Sequence, residues 1–183
     1  DVTSSAAPVA LGGIEEIGDA KAVHVLNGVA YVAAGADGLR VIDVSDPHAL
    51  KSVGVIETGG DALDVQALGD RVYVADGSGA LYVFDVGDPS YPVLIGQRKT
   101  PASAQGVHVV GDIAYVASAH YGVMAYDVSE PSVMRNLLVA DTAGEATSLI
   151  VRGTKAYVAD GSRALAVLAL FPPCPGEGSA CGT

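Results

Sequence analysis

The chain has 183 residues, enough for one domain with a sizeable hydrophobic core. Ten basic and 21 acidic residues give a formal charge of -11, a sign that disfavours nucleic acid and anionic membranes as partners. Half of the residues are hydrophobic, but no uncharged apolar run approaches the ~18 residues of a membrane span. The composition therefore predicts a globular protein without a transmembrane segment.

The first predicted elements are a short N-terminal strand at about residues 8–17 and then a unit of four strands. Asn27-Gly28 favours a two-residue hairpin turn, because both central positions need a positive φ. Asp46-Pro47 favours a second turn, in which the Asp oxygen accepts a backbone N–H and the Pro ring restricts φ. These signals predict strands at 22–26, 29–33, 39–44 and roughly 51–57.

The same unit then recurs three times at a spacing of 42 residues. A Tyr-Val-Ala triplet begins at Tyr31, Tyr73, Tyr115 and Tyr157, and these four tyrosines are expected to be equally buried. Tandem four-stranded units of about 40 to 45 residues without helices are typical of β-propeller blades. The sequence predicts an all-β, four-bladed propeller in residues 1–171, followed by a Pro/Gly/Cys tail in residues 172–183. The predicted blades are about 18–57, 60–99, 102–141 and 144–171.

The two ends of this array are expected to complete each other. Residues 8–12 align with residues 92–96, the fourth strand of the second blade, whereas the last blade supplies only three strands before Pro172. We expect the surplus N-terminal strand to pair with the last blade within one chain, which would remove two unpaired strand edges. Exchange of this strand between two chains would instead give a homodimer, and a truncated larger propeller is the remaining alternative.

The repeated unit resembles the LVIVD-type repeat of bacterial and archaeal propellers. The resemblance rests on Tyr31-Val32-Ala33, on residues 38–47 with the sequence GLRVIDVSDP, and on their copies, and it covers residues 8–173. The last blade departs from the pattern after Val167. Such proteins are mostly secreted or surface-associated, and the resemblance implies no single reaction. It therefore indicates a fold and leaves the function to the individual side chains.

Candidate binding residues are expected where the four copies disagree. On the first strands, His24 and His108 lie two blades apart and would face each other across the axis of a four-bladed ring. They could form a metal or proton site, or they could simply pack between blades. In the loop between the second and third strands, His120, Tyr121 and Arg163 lie on one face. Tyr and Arg are favoured at protein contacts, so these residues are candidate partner contacts, with ordinary loop filling as the alternative.

Other polar residues of the repeats favour structural roles. Asp43, Asp85 and Asp127 recur at the ends of strands, which favours hydrogen bonding in turns over catalysis. The segments 76–78 and 160–162, both Asp-Gly-Ser, offer oxygen ligands, but their spacing does not match a calcium loop. No nucleophile elbow, zinc-protease motif or phosphate-binding loop is present in the sequence.

The chain has two cysteines, Cys174 and Cys181, both in the tail. We expect them to form a local disulfide, with two thiols or a pair of metal ligands as alternatives. A disulfide would indicate an oxidising compartment. If the protein is exported, we expect its signal segment to have been removed before Asp1.

These observations favour a non-enzymatic propeller that is secreted, displayed on the cell surface or periplasmic. It would need no cofactor and would offer a rigid face to a protein partner, as an interaction or assembly module or as a subunit of a larger complex. Two alternatives stay open: a metal-dependent hydrolase or lactonase built on a propeller, and a fragment of a larger surface propeller.

Overall fold

A computed structural model describes residues 10–15 and 17–170 of the chain. In this part of the chain there are fifteen β-strands and two three-residue 3-10 turns, at Pro131–Val133 and Gly161–Arg163. The strands are β1 Ala22–Leu26, β2 Val29–Ala33, β3 Leu39–Asp43, β4 Lys51–Ile56, β5 Ala62–Leu68, β6 Arg71–Asp76, β7 Ala80–Asp85, β8 Val93–Lys99, β9 Gly106–Val110, β10 Ile113–Ala117, β11 Val123–Asp127, β12 Arg135–Ala140, β13 Ser148–Arg152, β14 Lys155–Ala159 and β15 Leu165–Ala169.

The strands form four antiparallel sheets that follow one another along the chain. Sheet 1 has the order β1-β2-β3-β4, sheet 2 β5-β6-β7-β8, sheet 3 β9-β10-β11-β12, and sheet 4 β13-β14-β15. Each strand pairs with its neighbours in sequence, so every sheet is built from hairpins. The predicted all-β fold of four repeated units is confirmed, and the strand boundaries of the first unit agree to within one residue.

Local backbone signals account for the hairpins. Asn27 and Gly28 have φ values of 52° and 77°, the two positive values that a tight hairpin turn between β1 and β2 requires. The pairing of the third strand with the fourth contains a register shift at the same place in three sheets, at Val41/Ile42, Val83/Phe84 and Ala125/Tyr126. The repeat in sequence therefore extends to the irregularities of the backbone.

Consecutive sheets pack face to face through their first strands, β1 on β5, β5 on β9 and β9 on β13. In sheets 2 to 4, we call the face that points toward the preceding sheet the leading face and the opposite one the trailing face. The corresponding faces of sheet 1 have the same names. Between sheets 1 and 2, Tyr31, Leu39 and Val41 of the trailing face meet Val65 and Ala67 of the leading face in one buried cluster. Equivalent clusters lie between sheets 2 and 3 and between sheets 3 and 4.

The N-terminal segment lies against the leading face of sheet 1. Ile14 and Ile17 pack on a buried cluster formed by Ala30, Val32 and Ile42. Residues 10–15 form no strand, and within the described residues sheet 4 has three strands. The structure therefore does not show the predicted pairing of the N-terminal strand with the last sheet, nor a closed ring.

The prediction that the four repeated tyrosines are equally buried is wrong. Tyr31 and Tyr73 are buried, and Tyr115 is partly buried. Tyr157 keeps 36% of its surface exposed. The reason is its place in the array, because this position lies on the trailing face and no sheet of the described chain follows sheet 4.

Candidate functional site

The aspartates that recur at the ends of the third strands have a structural role. The Oδ1 atoms of Asp43, Asp85 and Asp127 accept backbone N–H groups two residues further on, at 2.9 to 3.0 Å. In the third copy, hydrogen bonds from the Ser129 side chain and backbone lower the pKa of Asp127. These carboxylates cap turns, as their recurrence predicts.

The connections between second and third strands lie along one edge of the array, which we call the loop edge. It comprises residues 36–37, 78–79, 120–121 and 162–163. Two of these loops share one conformation, closed by Gly38 and Gly122, whose backbones have positive φ values of 71° and 74°. A β-carbon on Gly122 would overlap the carbonyl oxygen of Ala140, so this loop lies directly against the end of the fourth strand.

The three predicted contact residues of the loop edge are all exposed. His120 and Tyr121 are neighbours whose ring centroids lie 4.8 Å apart at an interplanar angle of 45°. Arg163 lies in the equivalent loop of the next sheet, inside the 3-10 turn. The structure thus places an aromatic pair and a cation in adjacent sheets of one edge, on short loops held by paired strands.

The two predicted axial histidines lie in different inter-sheet interfaces. Burial raises the pKa of Asp64 in sheet 2, and this rise is opposed by hydrogen bonds from the backbone N–H groups of Val107 and Val65 and, to a smaller extent, by the charge of His24 on β1. Burial lowers the pKa of His108 on β9, and the charge of Arg152 in sheet 4 lowers it further. Among residues 10–15 and 17–170, no three His, Cys, Asp or Glu side chains cluster in a way that would hold a metal ion.

Sequence reasoning missed how side chains of the first strand of one sheet bind the first strand of the next sheet. The Oε1 atom of Gln66 accepts a hydrogen bond from the backbone N–H of Val109 at 2.7 Å, and its Nε2 atom donates one to the carbonyl oxygen of Val109 at 3.1 Å. Asp64 accepts the N–H of Val107 at 2.9 Å. Two side chains of β5 therefore satisfy the unpaired backbone edge of β9, the first strand of the next sheet. The sequence carried a signal for Gln66, which belongs to the same varying position as His24, but none for Asp64.

The sequence also did not indicate that two of its aspartates are buried. Asp76 and Asp160 are fully buried, at the position that Ala34 occupies in sheet 1. Asp76 accepts the N–H of Ser78 at 2.8 Å, and Asp160 accepts the Thr142 hydroxyl at 2.5 Å. The second oxygen of each carboxylate is buried without a hydrogen-bond partner. Ser78 belongs to the loop edge, whereas Thr142 lies in the connection between β12 and β13, and among the described residues neither carboxylate joins a metal-binding cluster.

The predicted disulfide between Cys174 and Cys181 lies outside the described residues, as does the whole of the predicted tail, residues 172–183. Within residues 10–15 and 17–170, no helix is long and apolar enough to cross a membrane.

Comparisons with known proteins support the repeat and the fold. The family described as LVIVD repeat matches the chain four times, at residues 17–58, 59–100, 101–142 and 143–168. No curated protein matches the chain.

Two similar solved structures are computationally designed proteins. The Ika8 protein is 11% identical with a TM-score of 0.69, and the match covers 82% of this chain and 46% of that protein. The Ika4 protein is 10% identical with a TM-score of 0.71, and the match covers 91% of this chain and 100% of that protein. The chain thus spans less than half of Ika8 and all of Ika4. At these identities the similarity concerns the fold alone.

Proposed function

Because the chain belongs to the LVIVD repeat family, we propose that it is a non-enzymatic interaction module that binds a protein partner through the loop edge. A repeat fold of packed sheets holds short loops rigidly, and binding residues are commonly carried by loops on such scaffolds. The proposal assigns no reaction and no cofactor to the chain.

The observation that carries this proposal is the contrast between repeated and varying residues. The repeated aspartates cap turns, and Tyr31 and Tyr73 fill the interfaces between sheets. The varying residues His120, Tyr121 and Arg163 are exposed on one edge instead. Tyr and Arg contribute strongly to binding at protein interfaces, because their side chains combine large contact area with hydrogen-bonding groups.

We also propose that the module works outside the cytoplasm, as a secreted, surface or periplasmic protein and as a subunit of a larger complex. The support is the family resemblance together with the pair Cys174 and Cys181, since a disulfide between them would persist only in an oxidising compartment. Intact-mass analysis without reductant tests this point. A protein with two alkylatable thiols would argue against export.

We further propose that the four sheets are consecutive blades of a closed β-propeller, in which residues 8–17 complete the sheet of β13–β15. Packing of the N-terminal segment supports this arrangement. A β-carbon on Gly12 would overlap the carbonyl oxygen of Pro47. Gly54, on the fourth strand of sheet 1, approaches Pro89 of sheet 2 in the same way. The N-terminal segment thus occupies the place of a fourth strand that precedes sheet 1.

Site-specific photo-crosslinking tests the role of the loop edge. A photoreactive phenylalanine analogue in place of Tyr121 should capture a defined partner in the source cells. The matched control carries the same analogue in place of Tyr91, which is 77% exposed and lies in a third-to-fourth-strand connection, away from the loop edge. Equal capture at both positions would contradict a partner site at the loop edge.

The rival hypothesis of a metal-dependent hydrolase or lactonase has its own test. Elemental analysis of the purified protein should find no stoichiometric divalent ion if the chain is a binding module. An ion that is present in the parent and lost in both His24→Ala and His108→Ala would support the enzyme instead. His120→Ala, which changes an exposed loop histidine, is the matched control.

A further inference from the structure

The two ends of the array leave apolar sheet faces exposed. On the leading face of sheet 1, Val23 and Val25 are 61% and 57% exposed. On the trailing face of sheet 4, Leu165 and Val167 are 64% and 52% exposed, beside the partly exposed Tyr157. Large apolar side chains that share one sheet face indicate a surface that is covered in the functional protein.

Both faces have buried counterparts inside the chain. Val23 and Val25 correspond by the 42-residue repeat to Val65 and Ala67, which are 5% and 3% exposed on the leading face of sheet 2. Corresponding residues are buried on the leading faces of sheets 3 and 4 as well, namely Val107, Val109, Leu149 and Val151. The leading face of sheet 1 is therefore the fourth copy of a surface that is already used three times.

The trailing face of sheet 4 is likewise a copy of surfaces in use. Tyr157, Leu165 and Val167 correspond to Tyr31, Leu39 and Val41 of sheet 1, and those three residues are buried against sheet 2. A trailing face and a leading face of this kind are complementary, since three such pairs pack within the chain. The occupant that fits both open faces is another array of the same sheets.

The edges of the two terminal sheets are complementary too. Sheet 4 has three strands within the described residues, so the outer edge of β15 has no partner there. In front of sheet 1, residues 10–15 already occupy the place of a fourth strand. A hydrogen bond of 2.8 Å between Nδ1 of His48 and the carbonyl oxygen of Leu11 holds this segment in place. The first sheet therefore lacks three preceding strands, and the last sheet supplies three.

From this complementarity we infer that a second copy of the chain docks head to tail on the first. The trailing face of sheet 4 packs on the leading face of sheet 1 of the second copy, and the reciprocal contact closes a ring of two chains. In each junction, residues 10–15 of one chain lie beside β15 of the other. The inference rests on the closed propeller proposed above and names what completes it.

A second copy is favoured over closure by one chain because both faces stay open when the chain is alone. β1 packs against β5, and β13 packs against β9, but no comparable packing joins β1 to β13 within the described residues. Each junction joins one leading face to one trailing face, and a two-fold axis exchanges the two junctions, so together they form the reciprocal contact of a closed symmetric dimer.

This arrangement requires the loop that contains Ala164 to change conformation. It occupies the position of Gly38 and Gly122, which lie against fourth-strand carbonyls, and it has a positive φ of 66°. Sheet 2 carries Ala80 at the same position, as the first residue of β7, paired with the fourth-strand residue Lys99. An alanine therefore permits a fourth strand when the loop adopts the conformation of sheet 2.

Disulfide trapping distinguishes the ways in which the ring can close. Between sheets 3 and 4, a β-carbon on Gly106 would lie 3.1 Å from Cα of Ser148, and the corresponding pair at the proposed junction is Ser148 and Ala22. The Ala22→Cys/Ser148→Cys protein also carries Cys174→Ser and Cys181→Ser, so that it has no other thiols. It is oxidised, and its molecular mass is measured under denaturing conditions. Gly106→Cys/Ser148→Cys in the same background is the control, which should link within one chain.

The trapping experiment has three outcomes, and each supports or overturns the second copy or the closed propeller. A product of two linked chains supports the second copy. A link within one chain overturns the second copy and leaves the closed propeller standing. If only the control forms a link, both the second copy and the closed propeller are overturned.

Sedimentation of face variants tests the head-to-tail geometry. The parent should sediment with twice the mass of one chain, and Val23→Glu or Val167→Glu should weaken association by at least about tenfold, because each buries a charge without a partner. An equal mixture of these two variants should associate more strongly than either variant alone, since one of the two junctions in a mixed dimer carries neither charge. Val93→Glu, at an exposed residue of β8, is the control and should leave the mass unchanged.

Two results would overturn the inference. One is a parent that stays monomeric at concentrations where the interface should form. The other is a Val23→Glu variant that dimerises as well as the parent, because a dimer that joins two identical trailing faces would not involve Val23.

Discussion

Sheets 2 and 3 differ from sheets 1 and 4 in what surrounds them, although all four carry the same repeat. Tyr73 is 2% exposed because sheet 3 covers it, whereas Tyr157 at the same position is 36% exposed. Each copy of the repeat encodes a leading face and a trailing face, and burial depends on whether a neighbour is present. In an array, stability is therefore a property of adjacent pairs of sheets as much as of single sheets.

Sheet 4 is covered by a neighbouring sheet on one face and uncovered on the other. Its leading-face residues Leu149 and Val151 are buried against sheet 3. Its trailing-face residues Leu165 and Val167 are exposed. The same sheet is thus an interior sheet on one side and a surface on the other, so substitutions on its two faces should have very different effects.

The largest expected difference is between Tyr73→Ala and Tyr157→Ala. Loss of the buried Tyr73 ring should lower the free energy of unfolding by about 3 to 5 kcal/mol, as for other large-to-small changes in a core. Loss of the Tyr157 ring should lower it by less than about 1 kcal/mol. Urea unfolding measures both, at protein concentrations low enough for the chain to be monomeric. Equal losses would mean that Tyr157 is covered even in the monomer.

A smaller effect is expected where sheets approach closely at their outer strands. A β-carbon on Gly96 would overlap the carbonyl oxygen of Pro131 in sheet 3. Gly96→Ala should therefore lower the free energy of unfolding by about 1 to 3 kcal/mol, the range found for overpacking. Gly13→Ala is the control, because nothing lies within 4 Å of its β-carbon position. Thermal unfolding at matched pH compares the two, and a Gly96→Ala protein as stable as the control would show that the outer strands can separate.

Loss of the hydrogen bonds from Gln66 of β5 to β9 should have a somewhat smaller effect. Gln66→Ala leaves the N–H and carbonyl groups of Val109 without their partner in sheet 2, which should cost about 1 to 2 kcal/mol. Ile150 occupies the same position in sheet 4 and is 38% exposed, so Ile150→Ala should cost less. Hydrogen exchange of the Val109 amide gives a local readout, and unchanged protection in Gln66→Ala would show that this amide does not depend on Gln66.

The sequence was sufficient for the repeated parts of the fold because each signal is local. The turn at Asn27-Gly28 and the alternation of Tyr31-Val32-Ala33 depend on neighbours within a few residues, and the 42-residue spacing then repeats them. Burial of Tyr157 could not be predicted in this way, since it depends on what lies beyond the last strand. Pairing of the N-terminal strand depends on a contact across the whole array.

In the candidate site too, the features set by local sequence could be predicted and those set by the packing of sheets could not. The exposure of His120 and Tyr121 follows from a short loop between paired strands, and varying residues in such a loop are visible in the sequence. The bonds of Asp64 to the backbone of β9 depend on how two sheets are offset, which no local pattern encodes. This is why sequence reasoning singled out His24 and His108 as a pair but left open whether they share one site or pack separately between sheets.

The smallest expected effect concerns the pH dependence of two aspartates with opposite shifts. Burial between sheets raises the pKa of Asp64 above its ordinary value of 3.8. Hydrogen bonds in an exposed turn lower the pKa of Asp127 below that value. The first residue belongs to an interface between sheets and the second to a turn within one sheet, so the two report separately on packing and on local structure.

The signs of the two contributions follow from linkage. The contribution of Asp64 to stability is fully present below pH 3.8 and is lost as the pH rises through the higher folded-state pKa, because the buried carboxylate must then carry its charge. The contribution of Asp127 is present above pH 3.8 and is lost as the pH falls through the lower folded-state pKa, because protonation removes the charge that Ser129 stabilises. Substitution by Asn removes the titration in each case.

Urea unfolding of the parent, Asp64→Asn and Asp127→Asn, between about pH 2.5 and pH 6, tests both signs. Relative to its Asn variant, the parent should lose stability with rising pH at Asp64 and gain it at Asp127. Each change should be confined to the side of pH 3.8 toward which the pKa is shifted. If both differences changed in the same direction, Asp64 would be solvated in the folded protein, and the contact between β5 and β9 would be looser than the structure shows.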